Sequence, residues 1–519
     1  MLLAFVALLT LQPAAEAFCG FYVSGADASL YNDATQVVLM REGKRTVLSM
    51  QNSYEGPPSD FAMVVPVPTV IQKEDVKTLP KEVFQKIDTL SAPRLVEYWE
   101  QDPCYVEPEY EYKMSARRGD MMVPSSVMEM ADKDYGVKIE AQFSVAEYDI
   151  VILSARDSGG LDAWLRKEKY NIPKGAETVL RPYVASGTKF FVAKVDADRV
   201  SYDHGRAVLS PLRVSYESED FSLPIRLGLL NSKGEQDLLV HVLARNQRYE
   251  VANYPNRTIP TNIVVYDSVR EGFGDFYDSL YSEARKAGGG AVITEYSWAA
   301  GSCDPCPGPT LDQSDILTLG GDVTGVDTPW DVVLTRLHHR YTAESLGEDL
   351  VFRAAPPIVG GRGMPDTEGK MAERESEPAG MNNFQGRYII LHPWEGAIAC
   401  KSPVRGRWGG PPNGGSGTRT TESRLGGAAP KAADLATLVT VEVPSIGLSP
   451  RAASAAPATL QEAPAPLREV PATGPSDDDT FDDKGAGPCG TAPAAGGLAS
   501  LLALVALLFA GGRRNKLRS

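Results

Sequence analysis

The sequence predicts an α+β fold that consists mainly of β-strands with a few amphipathic helices. Short runs rich in β-branched residues recur along most of the first 400 residues, and apolar side chains at helical spacing are confined to a few segments. Strands and helices do not alternate strictly, which disfavours a doubly wound parallel sheet. The predicted domain order is a signal peptide (1–17), a globular domain (18–400), a disordered linker or stalk (401–488) and a C-terminal sorting signal with an apolar transmembrane helix (489–519).

Residues 1–17 have the pattern of a secretory signal peptide. An apolar run over residues 2–11 precedes the small-residue cleavage site A-E-A at residues 15–17. Cleavage there starts the mature chain at Phe18. A lipoprotein signal that uses Cys19 is disfavoured because the bulky Phe18 occupies a position that requires a small residue. Export implies an oxidising compartment, in which cysteines pair.

The first strands are predicted to form a hairpin. Runs T-Q-V-V-L-M from Thr35 and R-T-V-L-S-M from Arg45 flank the turn residue Gly43, which favours a tight connection. A third run, D-F-A-M-V-V-P-V-P, contains Pro66 and Pro68. Proline cannot donate to a strand ladder, so the end of this run is expected at a sheet edge.

The rest of the globular domain mixes further strands with amphipathic helices. Apolar residues at spacings of three and four predict helices over 76–90, 161–170 and 273–287. Glycines 288–290 end the last of these helices. The order of these elements is also compatible with a globular domain of two lobes that divide near residues 200–220. Further strands are predicted over 139–145, 148–155, 189–195, 207–216, 225–230, 238–243 and 291–298.

The only short motif with potential chemistry is Cys303-Asp304-Pro305-Cys306. A redox dithiol is activated when its first cysteine caps a helix, whose N-terminal dipole lowers the thiol pKa. Here Pro307-Gly308-Pro309 follows, a sequence that does not continue a helix. The motif therefore favours a structural disulfide over a redox centre, and a redox centre over a metal site.

The other cysteines leave several pairings open. Cys19, Cys104 and Cys400 lie in the predicted exported domain, and spacing alone does not choose among their pairings. We expect bridges between Cys303 and Cys306 and between Cys19 and Cys104.

Composition and motif searches exclude several function classes. The chain has 52 Lys and Arg against 67 Asp and Glu, and such an acidic balance disfavours a nucleic-acid partner. The sequence contains no H-E-x-x-H, G-x-S-x-G or P-loop pattern. His338-His339 is the nearest histidine pair to the cysteines, but adjacent residues point in different directions, so a surface pair is the simpler interpretation. No catalytic residue, cofactor or metal is predicted.

After residue 400 the composition changes to Pro, Ala, Gly and Ser, which cannot bury a core. We expect a stalk, interrupted by the apolar segment Leu435–Val443 as a strand that docks on the domain. Some forty Pro-rich residues extend about 3 Å each, so the stalk could hold the domain on the order of 100 Å from its anchor.

The C-terminus has the pattern of a membrane anchor. Residues 492–510 carry no charge, close to the roughly 20 residues that span a hydrocarbon core. Arg513 and Arg514 follow and favour a cytoplasmic end. Cys489 shortly precedes the span. This order resembles the MYXO-CTERM sorting signal of myxobacterial surface proteins, which implies removal of the helix by a sorting protease and lipid attachment at Cys489.

Long motifs between residues 19 and 400 resemble a bacterial family known as domain of unknown function 2330. They include C-G-F-Y-V-S-G-A-D-A from Cys19, S-A-P-R-L-V-E-Y-W-E-Q-D-P-C from Ser91, S-W-A-A-G-S-C-D-P-C-P from Ser297 and N-N-F-Q-G-R-Y-I-I-L-H-P-W-E-G-A-I-A-C from Asn382. The resemblance implies an exported, surface-displayed domain without an assigned activity.

Two function classes follow. The first is an exported, surface-anchored, non-enzymatic protein that binds, adheres or scaffolds through an unknown surface ligand. The alternative is an envelope thiol-disulfide oxidoreductase that uses Cys303 and Cys306.

Overall fold

The structure is a computed structural model of the chain. The predicted signal peptide, Cys19, Cys489, Arg513, Arg514 and the predicted C-terminal helix lie outside the residues that it describes. The described residues are 21–24, 35–52, 61–105, 136–168, 175–203, 206–231, 234–412, 417–420 and 431–451.

Strands dominate the described chain, as the sequence predicts. In chain order they are β1 (Phe21–Ser24), β2 (Thr35–Glu42), β3 (Arg45–Asn52), β4 (Phe61–Val67), β5 (Val76–Thr78), β6 (Arg94–Glu100), β7 (Val137–Val145), β8 (Tyr148–Ala155), β9 (Lys189–Val195), β10 (Ser201–Asp203), β11 (Arg206–Val208), β12 (Leu212–Glu217), β13 (Ser222–Leu223), β14 (Gln236–Arg245), β15 (Arg248–Val251), β16 (Asn256–Thr258), β17 (Ile263–Val264), β18 (Val292–Ala299), β19 (Val332–Tyr341), β20 (Leu350–Ala355), β21 (Ile358–Gly360), β22 (Glu377–Pro378), β23 (Asn383–Gln385), β24 (Arg387–His392), β25 (Trp408–Gly409) and β26 (Thr418–Thr420).

Helices are fewer than strands. The α-helices are α1 (Lys81–Ser91), α2 (Ser158–Lys167), α3 (Ala176–Ala185), α4 (Phe273–Ala287), α5 (Gln313–Ile316) and α6 (Asp322–Thr324), and a π-helical turn joins the last two over Leu317–Gly321. The 3-10 turns are Lys73–Asp75, Ala197–Arg199, Arg226–Asn231, Asp267–Val269, Leu435–Thr437 and Pro444–Ile446.

A large mixed sheet organises the fold. Its strands run in the order β22-β21-β23-β18-β19-β14-β2-β3-β12-β5, and β16 pairs with β18. β14 lies near the centre, antiparallel to β19 and parallel to β2. Because side chains alternate along a strand, these central strands present one set of residues to each face of the sheet.

One face of the large sheet packs on a second sheet of order β1-β4-β9-β8-β7. Val37, Val240 and Val242 of the large sheet share an apolar core with Ile150 and Phe191 of the second. Helices α2 and α3 cover the outer face of this second sheet through Leu161, Leu165 and Leu180.

The other face of the large sheet is covered by helices. Phe84 and Ile87 of α1 pack with Val38 and Met40 of β2. Helix α4 packs through Phe276, Tyr281 and its other apolar residues between Ile293 of β18 and a third sheet. That third sheet has the order β17-β24-β6-β25, with β26 also paired to β6.

Several predicted elements are confirmed. β2 and β3 form the expected hairpin, and β9 and α4 have the predicted bounds. Among the described residues, β1 pairs with β4 from Phe61 to Val64, and Pro66 at the end of β4 pairs with Phe190 of β9.

Two predicted strands differ in the structure. Residues 225–230 were expected as a strand but lie in the 3-10 turn Arg226–Asn231, where Leu227 is buried against α2 and α3. Leu435–Val443 docks on the domain through 3-10 turns and the isolated bridges Val265–Val439 and Val443–Leu448, not through a strand.

The folded part of the chain also extends past residue 400, where the linker was predicted to begin. β25 and β26 pair with β6, and Leu435, Val439 and Val443 are buried in the core beneath α4. The physical reason is that these apolar residues, isolated in a polar segment, remove their surface from water against an existing core.

The described residues belong to one compact unit that extends to Ser454, and the unit Ala455–Ser519 contains none of them. Within the described residues, every helix is too short or too polar to span a membrane.

Gly361 gives a direct test of the packing at the end of β21. Its φ is +70°, and an added Cβ would lie 2.1 Å from the carbonyl oxygen of Gln385. We expect Gly361→Ala to lower the free energy of unfolding by about 3 kcal/mol or more, because strain and overpacking add. Chemical denaturation measures this value.

The matched control is Gly43→Ala. Gly43 has φ +56° but nothing within 4 Å of an added Cβ, so only the left-handed backbone cost of about 1 kcal/mol applies. Equal effects of the two substitutions would contradict the packing at Gly361.

Candidate functional site

The Cys303–Cys306 loop lies between β18 and α5 at the helix-covered face of the large sheet. The two cysteines are joined by a disulfide with Cα atoms 4.9 Å apart. The next helix begins only at Gln313, capped by Asp312. The expectation that no helix directly follows Cys306 is confirmed, and no helix dipole acts on either sulfur from that side.

Side chains from three strands hold the loop by its backbone. The donors come from β18, β23 and β6, and each bonds a different carbonyl oxygen. They are Tyr296 Oη to Ser302 O at 3.2 Å, Gln385 Nε2 to Asp304 O at 2.7 Å and Arg94 Nη1 to Pro305 O at 3.0 Å.

The two sulfurs have different surroundings. Cys303 is partly buried and packs on the core beneath α1, whereas Cys306 is exposed. The ring of Trp330, which is 66% exposed, lies against Gly301, with Cδ2 3.2 Å from the position of an added Cβ. Cys306 is therefore the sulfur that an incoming thiol can reach.

The second disulfide corrects the predicted pairing. Cys104 is bonded to Cys400, with Cα atoms 5.5 Å apart, and not to Cys19, which lies outside the described residues. The physical reason is topological. β6 and β24 are neighbouring parallel strands, so the chain segments that leave their carboxyl ends carry Cys104 and Cys400 to the same place.

The largest group of buried charges lies on the helix-covered face of the large sheet. Its hub is Glu295 on β18, which accepts hydrogen bonds from Tyr277 of α4 and, at 2.6 Å, from Arg336 Nε of β19. Arg336 also pairs with Asp88 of α1. Burial disfavours the Glu295 carboxylate, but the charges of His338 and Arg336 outweigh it and lower its pKa.

His338 extends this network along β19. Its Nδ1 lies 2.8 Å from Glu295 Oε1 and its Nε2 lies 2.9 Å from Asp237 Oδ1. Both carboxylates only accept, so both ring nitrogens must carry protons. Burial lowers the pKa of His338, but the two carboxylates outweigh burial and raise it. Arg340 completes the network with bonds to Asp237 and Asp278.

The interpretation of His338 and His339 as a surface pair is wrong, because β19 is a central strand and both residues are buried. They do contact different groups, as expected for adjacent strand residues. His338 stacks on Tyr281 of α4, whereas His339 contacts Tyr254 and Tyr341. Within the described part of the chain, neither ring nitrogen of His339 has a hydrogen-bond partner, and burial lowers its pKa to about 3.

A smaller cluster could offer metal ligands. One ligand atom each from Glu97, Asp267 and His392 lies within 4.8 Å of the others. Arg270 already occupies the cluster, with its Nη2 2.7 Å from Glu97 Oε2 and a further ion pair to Asp267. The place that a bound cation would take is therefore filled by the guanidinium of Arg270. The cluster is best described as an ion-pair network.

A groove of about 500 Å³ lies between α4 and residues 432–448. Asp278 there pairs with Arg340, and Asp434 pairs with Arg451. Ser279 is occupied as well, since it accepts a bond from Ala433 N. These three polar groups of the groove are thus engaged by this chain, and the bond to Ser279 joins the C-terminal segment to α4.

The burial of two arginines beneath the cysteine loop was not predicted from the sequence. Arg94 and Arg387 each begin an apolar strand, R-L-V-E-Y-W and R-Y-I-I-L-H. Both are among the largest fully buried side chains. An arginine at the start of a strongly apolar strand was the available signal, because charged residues are rarely buried without a partner.

Comparison with protein families gives one finding. Residues 13–353 match the family described as "Uncharacterized protein conserved in bacteria (DUF2330)". The match includes the motifs from Cys19, Ser91 and Ser297 and ends before the motif from Asn382. The chain matches none of the curated proteins and none of the solved structures with which it was compared.

The buried His339 predicts how stability depends on pH. Its pKa is about 3 in the folded chain and near 6.5 when unfolded, so the unfolded chain binds more protons between these values. The contribution of His339 to the free energy of unfolding is fully present above pH 6.5 and is lost as the pH falls toward 3. In His339→Phe, the slope of unfolding free energy against pH should decrease by up to about 1.4 kcal/mol per pH unit in this window.

Denaturant unfolding at several pH values measures this slope. At pH 8 His339 is neutral in both the folded and the unfolded state. A difference in unfolding free energy between His339→Phe and the unaltered protein at this pH therefore reports packing alone. His338 acts with the opposite sign, since its raised pKa gives stability below pH 6.5 that is lost as the pH rises through the folded value. An unchanged acid slope in His339→Phe would contradict a buried neutral His339.

Proposed function

The chain belongs to the bacterial DUF2330 family, and from this premise we propose that it is an exported, surface-anchored protein that binds, adheres or scaffolds without catalysis. The proposed location is the cell surface or outer membrane, with transient passage through the inner membrane. The proposed partners are a sorting protease and an unknown surface ligand.

The two disulfides carry the proposal of export. Disulfides persist in oxidising compartments and are rare in the reducing cytosol. Cys104–Cys400 joins residues separated by 296 positions, and closing so long a loop stabilises a fold by about 5 kcal/mol in the chain-entropy account. A fold that depends on such a bridge suits an exported protein.

Sequence features support anchoring. The signal-peptide pattern of residues 1–17, the Pro-rich segment after Ser449 and the apolar run 492–510 are arranged as in a displayed and tethered domain. We propose that the MYXO-CTERM-like tail inserts in the membrane, with Arg513 and Arg514 on the cytoplasmic side, and that Cys489 becomes the lasting attachment point after the helix is removed.

The pairing of charged groups supports a non-catalytic role. In the described chain, the acidic groups of the Glu295 network and of the Glu97 cluster are held by this chain's own arginines. A general acid or base needs a free proton-transfer partner at an accessible place. These carboxylates are engaged in ion pairs, and apart from the exposed Asp267 they are buried or partly buried.

A second candidate function is thiol-disulfide exchange at Cys303 and Cys306. One observation favours it. Cys306 is exposed in a disulfide loop that Arg94 contacts directly, and exchange needs both an accessible sulfur and a stabilised thiolate.

External protease tests surface display. On intact cells, we expect added protease to release peptides of the 35–451 domain at a rate close to that in lysed cells, because the domain faces the medium. Mass spectrometry of the released peptides is the measurement. Resistance of the domain in intact cells, together with rapid cleavage after lysis, would overturn the proposal.

Cys489→Ser tests the attachment point. The variant should appear in the medium or keep its C-terminal segment in the inner membrane, whereas Cys306→Ser, which changes an equally small side chain far along the sequence, should stay attached. Normal anchoring of Cys489→Ser would show that attachment does not use this sulfur.

A further inference from the structure

Arg94 and Arg387 form a buried pair of like charges. They are directly paired in register on the neighbouring parallel strands β6 and β24, and their exposed fractions are 0% and 1%. Like charges at opposed strand positions repel, and burial adds a desolvation cost. Burial lowers the pKa of Arg94 to about 10, with the charges of Arg387 and Arg336 acting in the same direction against Tyr296.

The hydrogen bonds that these arginines make within the described chain all go to neutral acceptors. Arg94 donates to the carbonyl oxygens of Leu90 and Pro305, and its Nε has no partner among the described residues. Arg387 donates to Asn262 Oδ1, Tyr98 Oη and Gly363 O. The neighbouring Arg336, in contrast, bonds two carboxylates, those of Asp88 and Glu295.

The charged groups around the pair leave its positive charge only partly balanced. Asp304 in the cysteine loop and Glu373 both attract Arg387, but Asp304 is exposed and Glu373 is bonded to Arg362. Asp88 of α1 is bonded to Arg336, and Tyr296 of β18 is held neutral by burial, which raises its pKa. Among the groups that the structure describes here, the one that can still supply negative charge is a thiolate of the loop.

We infer that the Cys303–Cys306 disulfide oxidises dithiols presented by polypeptides, and that Arg94 and Arg387 are positioning residues that stabilise the Cys306 thiolate when it is released from the mixed disulfide. The inference rests on the second candidate function. Arg94 Nη1 lies 3.0 Å from the carbonyl oxygen of Pro305, the residue immediately before Cys306, so its charge contacts the backbone of the loop one residue from Cys306.

The reaction balances within the two partners. A substrate thiolate attacks the exposed Cys306 Sγ, the Cys303–Cys306 bond breaks, and Cys303 leaves as a thiolate with the electron pair of the broken bond. The second substrate thiol loses its proton and attacks the substrate sulfur of the mixed disulfide, which releases Cys306. The substrate is oxidised by two electrons to a disulfide, and the loop becomes a dithiol after taking up the two protons that the substrate lost.

The surface beside the loop fits a polypeptide. Trp330 presents 66% of its surface next to Gly301, two residues before Cys303, and prolines 305, 307 and 309 lie in the same loop. Exposed tryptophan is a frequent anchor in protein recognition. A small soluble dithiol needs no such contact, so the two classes of substrate are distinguishable.

The first test measures thiol acidity in the reduced full-length protein. The rate of Cys306 alkylation is followed against pH by mass spectrometry. We expect a midpoint at least about one pH unit below the value of roughly 8.5 for a free cysteine. Arg94→Gln should raise the midpoint by about one unit because a neighbouring positive charge is lost, and Arg94→Lys should restore most of the shift because it keeps the charge.

Asp304→Asn is the matched control, because it should shift the alkylation midpoint in the direction opposite to Arg94→Gln. Asp304 is exposed, so this substitution preserves the fold and should lower the midpoint by a few tenths of a unit. A midpoint near 8.5 in the unaltered protein would overturn the role of the arginines, and this result does not depend on whether Arg94→Gln folds.

The second test separates the substrate classes. The oxidised protein should oxidise a peptide with two cysteines, and Trp330→Ala should slow this reaction at least about threefold while leaving the reaction with dithiothreitol unchanged. An equal effect on both reactions overturns the polypeptide as substrate. A low thiol midpoint without any oxidation of either dithiol would overturn the exchange function itself and leave the electrostatic role of the arginines intact.

Discussion

The carboxylate of Glu295 is the constraint on which the arrangement of the described core depends. It lies at the helix-covered face of the large sheet and bonds Tyr277 of α4 and Arg336 of β19. Through Arg336 it is linked to Asp88 of α1. A buried ion pair adds little to stability compared with apolar residues, but removing one partner costs about 3 to 5 kcal/mol because a charge is left uncompensated. The network therefore fixes where both helices lie on the sheet.

The same part of the molecule contains arginines with and without a carboxylate hydrogen-bond partner. Arg336 and Arg340 bond carboxylates, whereas within the described residues Arg94 and Arg387 bond neutral oxygens. All four are largely buried, so burial does not distinguish them. What distinguishes Arg94 and Arg387 is their place beneath the Cys303–Cys306 loop, whose charge changes with its redox state. Partly balanced positive charge at that position is the physical basis of the proposed chemistry.

The sequence predicted the local elements better than it predicted their assembly. Alternating β-branched residues identified the β2–β3 hairpin, and apolar spacing identified α4 with its bounds. The pairing of β6 with β24 joins segments almost 300 residues apart, which no local pattern encodes. The Cys104–Cys400 bridge, the meeting of Arg94 with Arg387 and the burial of His338 all follow from such long-range pairing. For the same reason, Leu435 and Val443 were recognised as apolar, but how they dock on α4 was not.

The most direct measurement is the redox equilibrium of the two disulfides in the same protein. The full-length chain is equilibrated in glutathione buffers of graded ratio, and mass spectrometry follows the reduction of each cysteine pair. If the arginines favour a thiolate at the loop, Cys303–Cys306 is reduced at a much lower ratio of reduced to oxidised glutathione than Cys104–Cys400. If Cys303–Cys306 resists reduction as strongly as Cys104–Cys400, it is a structural bridge and the account of the loop is wrong.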